Sequence, residues 1–158
     1  MGLRKILTDA EPALHKTCRP VENFDSRLHA LLNDMRETLI DSGGVGLAAP
    51  QVGILRRVVL VDNGDEILEL VNPTLLETDG IQEGPEGCLS IPGKYGLVKR
   101  PYYAKVRAQD RYGNWYEAEG EELTARCFCH ELDHLDGILY TQVMERFLSE
   151  DELDFSED

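Results

Sequence analysis

Residues 127–134, CFCHELDH, contain two histidines, a glutamate, an aspartate and two cysteines in eight consecutive positions. In a helix, His130 and His134 lie four residues apart and project from the same face, so both imidazoles can reach one metal ion. Glu131 lies next to them and offers a free carboxylate. We therefore predict a helix over residues 122–135 that carries two ligands of a metal site.

The third ligand of such a site must come from elsewhere in the chain. In one class of metalloproteases it is a histidine six residues after the second histidine, but here that position is Tyr140. In another class it is a glutamate of a later helix. Glu145 and Glu150 are available, but only 24 residues follow His134, which leaves little room for that helix and its support. A cysteine is the remaining choice.

Two cysteines are candidates for this ligand. Cys127 lies three residues before His130 on the same helix face, but its side chain would have to bend along the helix to reach the ion. Cys88 lies in the glycine-bounded stretch EGCLSIPG, residues 86–93, whose backbone can approach the helix closely. A ligand from a facing strand gives a better tetrahedral arrangement, so the geometry favours Cys88.

The rest of the sequence predicts a second helix and several strands. Apolar residues recur at helical spacing over residues 24–41, which predicts an amphipathic N-terminal helix facing the core. We expect a hairpin with a type I′ turn at Asn63-Gly64, a further strand over residues 86–93, and a second hairpin over 103–120. This order predicts an α+β fold in which mostly antiparallel strands pack around the central HExxH-bearing helix.

The composition is that of one globular domain: the chain has 158 residues, 42% hydrophobic and 29% charged. The formal net charge of −14 repels phosphate groups, so we expect no direct nucleic-acid binding and no membrane binding. The N-terminus lacks the apolar segment of a signal peptide, and four cysteines are too few for a disulfide framework. We expect a cytoplasmic protein with reduced cysteines.

Three stretches together resemble the signature sequences of the bacterial peptide deformylases. They are GGVGLAAPQVG at residues 43–53, EGCLSIPG at 86–93 and CHELDHLDG at 129–137. The resemblance implies a hydrolase that removes the N-formyl group from the initiator methionine of newly made polypeptides and releases formate. Nascent formyl-methionyl polypeptides are then its partners. The resemblance also implies one divalent metal ion, typically Fe(II), with zinc or nickel as the other metals that the family takes up.

The resemblance also assigns roles to individual residues. The metal ligands of the family match Cys88, His130 and His134. Glu131 matches the general acid/base, and Gln51 and the backbone N–H of Leu89 match the groups that hold the formyl oxygen. The backbone of Gly46 matches the contact that aligns the main chain of the substrate.

These residue types suit amide hydrolysis. A divalent metal lowers the pKa of its bound water from about 15.7 toward about 7, and three protein ligands leave a fourth position open. Glu131 can then carry a proton from the water to the leaving amine. Each oxyanion donor is worth about 2.7–4 kcal/mol. We expect Gly44 and Gly46 to adopt backbone conformations closed to other residues. The resemblance suggests a methionine pocket lined by Val45, Leu89, Cys127 and the aliphatic part of Arg126.

Two positions near the histidines, Cys129 and Asp133, are not among the matched metal ligands. The family often has glutamine before the first histidine, but this chain has Cys129 there. We expect the Cys129 side chain to point away from the metal. Asp133 is expected to orient a ligand or to pair with an arginine, for which Arg100 is a candidate.

The resemblance extends from about Leu3 to the region of Phe147. We therefore expect a single deformylase-like catalytic domain over residues 1–147 and an acidic tail over 148–158. The last fourteen residues contain seven acidic residues and one basic residue. Some family members have a basic C-terminal helix that docks on ribosomal RNA. Ribosomal RNA is negatively charged and would repel this acidic tail. Any contact with the ribosome is therefore expected to be transient proximity.

Three other functions, two of them enzymatic, are compatible with parts of the same group of residues. Hydrolysis of a different formyl or acyl amide would use every residue named above. A zinc endopeptidase would need a third ligand other than Cys88. A non-catalytic, metal-stabilised binding domain would need four protein ligands and would leave Glu131 and Gln51 without a role.

Overall fold

The computed structural model of the protein describes residues 2–154. In that range there are three α-helices: α1 (Ser26–Ser42), α2 (Leu123–Leu135) and α3 (Glu150–Asp154). The strands in the same range are β1 (Gly46–Ala48), β2 (Val58–Asp62), β3 (Ile67–Asp79), β4 (Gln82–Cys88), β5 (Ile91–Arg100), β6 (Tyr103–Gln109), β7 (Trp115–Glu121) and β8 (Arg146–Phe147). The predicted α+β class is confirmed.

The strands form two sheets. A five-stranded sheet has the order β1-β2-β3-β6-β7, and a three-stranded sheet has the order β4-β5-β8. All these strand pairings are antiparallel, as predicted. Because β4 and β5 belong to a different sheet from β1, the two sheets can contribute opposite walls to a site that lies between them.

Helix α2 packs against the five-stranded sheet. Its fully buried Phe128 lies in one apolar cluster with Val59 and Val61 of β2 and Val106 of β6. Burial of each such side chain contributes about 1.5–3 kcal/mol to folding. The ligand candidates His130 and His134 lie on this helix, so the packing holds their backbone firmly in place. The helix predicted over residues 122–135 is confirmed.

Helix α1 has clear signals at both ends. The Asp25 carboxylate accepts hydrogen bonds from the backbone N–H groups of Arg27 and Leu28, as an N-cap residue does. Gly43 ends the helix with φ 72°, a left-handed conformation that glycine adopts without strain. The amphipathic helix predicted over residues 24–41 is confirmed, with both boundaries shifted by one or two residues.

Two local predictions were wrong. The loop between β2 and β3 has four residues, and Asn63 does not have the positive φ that a type I′ turn requires. Instead, the Asn63 side chain accepts hydrogen bonds from the N–H groups of Asp65 and Glu66. Residues 86–93 are not one strand, because β4 ends at Cys88 and β5 begins at Ile91.

The C-terminal segment begins against the second sheet. Strand β8 pairs with β5, and the Leu148 N–H donates to the Tyr95 carbonyl at 2.8 Å. Helix α3 follows, and residues 155–158 of the predicted acidic tail lie outside the described residues. Within the described range, no helix combines the length and the apolar character that crossing a membrane requires.

Candidate metal centre

One cysteine and two histidines form a cluster with metal-binding geometry. A ligand atom from each of Cys88, His130 and His134 lies within 4.8 Å of the other two. The Cys88 Sγ is 3.4 Å from the Nε2 of His134. No other group of three such side chains was found in the range 2–154. The structure therefore brings together the three residues that the resemblance assigned as ligands.

A tight hairpin brings Cys88 to the helix. Cys88 is the last residue of β4 and pairs with Ile91, so only Leu89 and Ser90 form the turn. The other candidate, Cys127, is not in the cluster; its Sγ contacts the carbonyl of Val45 at 3.4 Å. Burial raises the pKa of Cys127 well above its usual value, which keeps it a neutral thiol.

The donor atoms fit a divalent transition metal. One thiolate and two imidazoles are ligands that zinc, nickel and iron accept, and three protein ligands leave a position for water or substrate. Burial, and next the charge of His130, lower the pKa of His134, which keeps its imidazole neutral as a ligand must be. Burial lowers the pKa of His130, but hydrogen bonds to Cys88 and Glu86 outweigh burial and raise it. Metal binding should therefore release a proton.

Glu86 connects the metal-ligand candidates to two buried arginines. Its side chain is 4% exposed and accepts hydrogen bonds from His130 Nδ1 at 2.7 Å, from Arg100 at 2.6 and 3.1 Å, and from Arg126 at 2.8 Å. Burial would raise the pKa of Glu86, but the hydrogen bonds from His130 and Arg100 hold it at about 2. This carboxylate fixes which His130 nitrogen faces the cluster. Arg100 also pairs with Asp133 at 2.8 Å, which confirms that predicted pair.

Glu131 lies buried beside the cluster. It is 4% exposed, and in the described part of the chain its Oε1 has no hydrogen-bond partner. Burial raises the pKa of Glu131 to about 7. A carboxyl group with a pKa near neutrality can both accept and donate a proton, as general acid/base chemistry requires.

Glycine at position 46 lets the Glu131 and Cys127 side chains lie close to the backbone; it is not required for an unusual backbone conformation. A Cβ at this position would lie 2.5 Å from Glu131 Oε2 and 2.6 Å from Cys127 Sγ. Similarly, a Cβ at Gly44 would lie 2.9 Å from Leu89 Cδ1. Neither glycine has a positive φ, so the expectation of unusual conformations at these two positions was wrong.

The backbone of Gly46 also presents an open strand edge. β1 is the edge strand of its sheet, and the Asp62 N–H donates to the Val45 carbonyl at 2.8 Å. Hydrogen-bonded and non-bonded positions alternate along an antiparallel pair. The N–H and C=O of Gly46, opposite Val61, therefore point away from β2. They can pair with an extended peptide.

Gln51 and Leu89 both offer N–H groups close to Cys88. The Gln51 side chain is buried, and its Oε1 accepts from the Ala48 N–H at 2.9 Å. Its Nε2 therefore faces Ser90 Oγ at 3.1 Å and Cys88 Sγ at 3.6 Å. Within residues 2–154, the Leu89 backbone N–H donates no hydrogen bond. Both N–H groups can donate a hydrogen bond to an oxygen atom bound near the cluster.

The cluster lies at a cavity of about 500 Å³. The cavity lining includes all four predicted methionine-pocket residues: Val45, Leu89, Arg126 and Cys127. Cys129 instead belongs to the apolar core between α2 and the five-stranded sheet, as predicted. All four cysteines are free thiols.

Sequence reasoning missed three supporting residues. Glu86 lies two residues before Cys88, and strand periodicity places positions i and i+2 on one face, so it was detectable. Ser90 anchors the Gln51 amide, and the ring of Tyr140 stacks on His130 with centroids 6.3 Å apart. Neither of these last two contacts has a local sequence signal, because both join segments far apart in the chain.

Two histidines of an HExxH helix, a cysteine from a facing hairpin and a buried glutamate define a metal-dependent hydrolase. The sequence profile of the polypeptide deformylase family matches residues 3–149. A peptide deformylase of Agathobacter rectalis is 52% identical over 145 residues, which is 92% of each chain. Another, from Caldanaerobacter subterraneus subsp. tengcongensis, is 51% identical over 154 residues, 98% of this chain and 97% of that one.

The crystal structure of the peptide deformylase from Thermotoga maritima matches the fold with a TM-score of 0.89 and 38% sequence identity. The match covers 92% of this chain and 99% of that one. The chain therefore belongs to the polypeptide deformylase family. It is a metal-dependent hydrolase that removes the formyl group from newly made polypeptides.

Proposed function

We propose that deformylation takes place in the cavity lined by Cys88, His130 and Glu131, with Cys88, His130 and His134 as metal ligands and Glu131 as the general acid/base. The convergence of the three ligand atoms within 4.8 Å, beside a buried carboxylate, is the observation that carries this proposal. Fe(II) is the proposed metal, with zinc or nickel as replacements. When bound, the cation supplies Lewis-acid activation of water and of the formyl group.

The protein groups around the cluster complete the proposed chemistry. Glu131 accepts a proton from water and then donates it to the amine that leaves as the new N-terminus. The Gln51 amide and the Leu89 N–H donate to the formyl oxygen as negative charge develops on it. The Ala48 and Ser90 contacts preorganise Gln51, so little reorganisation is needed during the reaction.

The open edge of β1 is proposed to align the substrate. An extended peptide that pairs with the backbone of Gly46 adds a strand to the five-stranded sheet. The methionine side chain then enters the space between Val45, Leu89, Cys127 and the aliphatic part of Arg126. The N–H and C=O of Gly46, which point away from β2 at the cavity wall, support this arrangement.

The test is formate release from formyl-Met-Ala-Ser by the Fe(II) protein prepared without oxygen. We expect rapid release from the wild type and almost none from Glu131→Gln, which keeps the shape of the side chain but cannot carry the proton. A Glu83→Gln variant is the matched control, because Glu83 is exposed on β4 away from the cluster. No release from folded, metal-loaded wild type would refute the substrate assignment and favour another formyl or acyl amide.

The proposed metal can be tested separately. A thiolate ligand and Fe(II) are both oxidised by oxygen, so preparation in air should lower the activity of the iron form. The zinc form, which has no redox chemistry, should be less sensitive. Equal turnover of the iron form after preparation with and without oxygen would contradict the assignment of Fe(II).

We further propose that residues 1–147 form the catalytic domain and that residues 148–158 are an acidic tail. The cytoplasm, where new polypeptides are made, is the proposed compartment. The net charge of −14 supports the absence of direct nucleic-acid or membrane binding and limits ribosome contact to transient proximity. A sedimentation assay with ribosomes at low salt would test this, and stable binding would contradict it.

A further inference from the structure

We propose that Lys94 gives the enzyme a preference for new polypeptides with an acidic residue shortly after formyl-methionine. The inference rests on the proposed function, because it assumes that the peptide leaves the site along the cavity rim. It concerns the charge of the substrate beyond the methionine, which the ligand cluster does not contact.

Lys94 lies at the rim of the cavity that contains the ligand cluster. It is exposed, belongs to the first part of β5 and lines the cavity together with Gly93 and Tyr95. Gly93 has φ 79°, so the chain bends immediately before Lys94. An extended peptide advances about 3.3 Å per residue. On the proposed path, the first few residues after methionine therefore pass the cavity rim where Lys94 lies.

A neighbouring strand holds the Lys94 ammonium in position. Gly96 of β5 pairs with Phe147 of β8, so Lys94 is the diagonal neighbour of Phe147 across the strand pair. The Lys94 Nζ lies 5.3 Å from the centroid of the Phe147 ring, within the range of a cation–π contact. A ring covers only one side of the ammonium, so its remaining N–H groups can bind a substrate group.

The charges around the cavity leave Lys94 without an acidic partner. Besides the ligand candidate His130, the other basic side chain of the lining is Arg126, which is buried and paired with Glu86 at 2.8 Å. The two acidic residues of the lining, Glu86 and Glu131, are also buried. Across the described residues, no carboxylate lies within ion-pair distance of Lys94 Nζ. The rim therefore carries one unpaired positive charge on a chain whose net charge is −14.

The same strand offers a control. Lys99 is also an exposed lysine of β5, but it does not line the cavity and lies 3.5 Å from Glu145 and 3.9 Å from Glu83. Its positive charge is thus balanced and distant from the substrate. Replacement of Lys99 changes the net charge of the protein by the same amount as replacement of Lys94.

The experiment measures kcat/KM for amidated formyl peptides that differ only in charge. Glutamate, glutamine or lysine is placed at the first or the second position after formyl-methionine. The C-terminal amide removes a carboxylate that would itself bind Lys94. For the wild type we expect the glutamate peptide to exceed the lysine peptide by about two- to twentyfold at one position, since each exposed charge contact gives about 1.5- to fivefold. Lys94→Gln should reduce the ratio to near one, Lys94→Glu should invert it, and Lys99→Gln should leave it unchanged.

Salt gives a second readout that a purely structural role of Lys94 would not change. The ratio should fall as salt rises from about 0.01 M to about 1 M, because the screening length shrinks from about 30 to about 3 Å. An unchanged ratio in Lys94→Gln, or equal turnover of all peptides by the wild type, would overturn this inference and leave deformylation standing. Failure to deformylate any peptide would instead overturn the proposed function and the inference with it.

Discussion

Replacement of Glu86 by glutamine should destabilise the protein by about 3 kcal/mol. The carboxylate is 4% exposed and lies against Arg100 and Arg126, whose side chains are 7% and 8% exposed. Removing one member of a buried ion pair typically costs about 3–5 kcal/mol, because the remaining charge stays buried without its partner. Glutamine keeps the size of the side chain, so the loss reports charge rather than a cavity.

The pKa of Glu86 gives a second route to this magnitude. Its pKa is about 2 in the folded protein, against about 4.3 in an unfolded chain. A carboxyl group whose pKa is lowered by folding stabilises the folded state above its unfolded pKa, here by about 3 kcal/mol. That contribution is lost as the pH falls from about 5 to about 2. The difference between wild type and Glu86→Gln should therefore be full at neutral pH and small near pH 2.

The assay is chemical unfolding of the metal-free proteins at several pH values, with a chelator present throughout. Glu83→Gln is the matched control, since Glu83 lies on the same strand, is 41% exposed and only approaches Lys99 at 3.9 Å. It should change the free energy of unfolding by less than about 0.5 kcal/mol. A loss below about 1 kcal/mol in Glu86→Gln at neutral pH, or a loss that does not shrink in acid, would refute the reasoning. Metal affinity should also fall, by about 10–100-fold, because His130 loses its orienting partner.

Three further outcomes are expected. Gly46→Ala should lower kcat/KM for formate release by about 100-fold or more. The new Cβ would lie 2.5 Å from Glu131 Oε2 and 2.6 Å from Cys127 Sγ, so it would displace the proposed acid/base. Near-normal activity would contradict this. Glu122→Gly should raise the free energy of unfolding by about 1 kcal/mol. Glu122 has φ 53° and ψ −118°, a strained backbone conformation that glycine adopts more easily, and this gain exceeds the loss of the hydrogen bond from Tyr102. A lower melting temperature of the variant would count against this. Metal removal by a chelator should abolish formate release, and added Fe(II) should restore it; activity that survives complete removal would exclude a metal-dependent reaction.

The local patterns of the sequence predicted most of the secondary structure. Helix α1 and helix α2 have apolar spacing of a clear helical period, and such long periodic segments are the most dependable signal in a single sequence. The loop at Asn63 was predicted incorrectly because the side chain of Asn63 forms its own hydrogen bonds to Asp65 and Glu66. Local side-chain bonds of this kind compete with the turn that the dipeptide Asn-Gly favours.

The stretch 86–93 shows why the hairpin could not be predicted. Its residues can form a strand, and nothing within eight residues indicates that the chain reverses at Leu89 and Ser90. The reversal is stabilised from outside, because the Ser90 carbonyl accepts from the Asp9 N–H and the Ser90 hydroxyl accepts from Gln51. Long-range contacts therefore decide the element that presents the cysteine ligand.

By itself, the sequence determined the helix that places His130 and His134 one turn apart, because that spacing follows from helical geometry alone. It narrowed the third ligand to two cysteines and favoured Cys88. Only the tertiary structure decided how Cys88, Glu86 and Gln51 meet at this helix. Their positions depend on the packing of two sheets whose strands come from segments far apart in the chain. The energy of that packing cannot be predicted from any local sequence pattern.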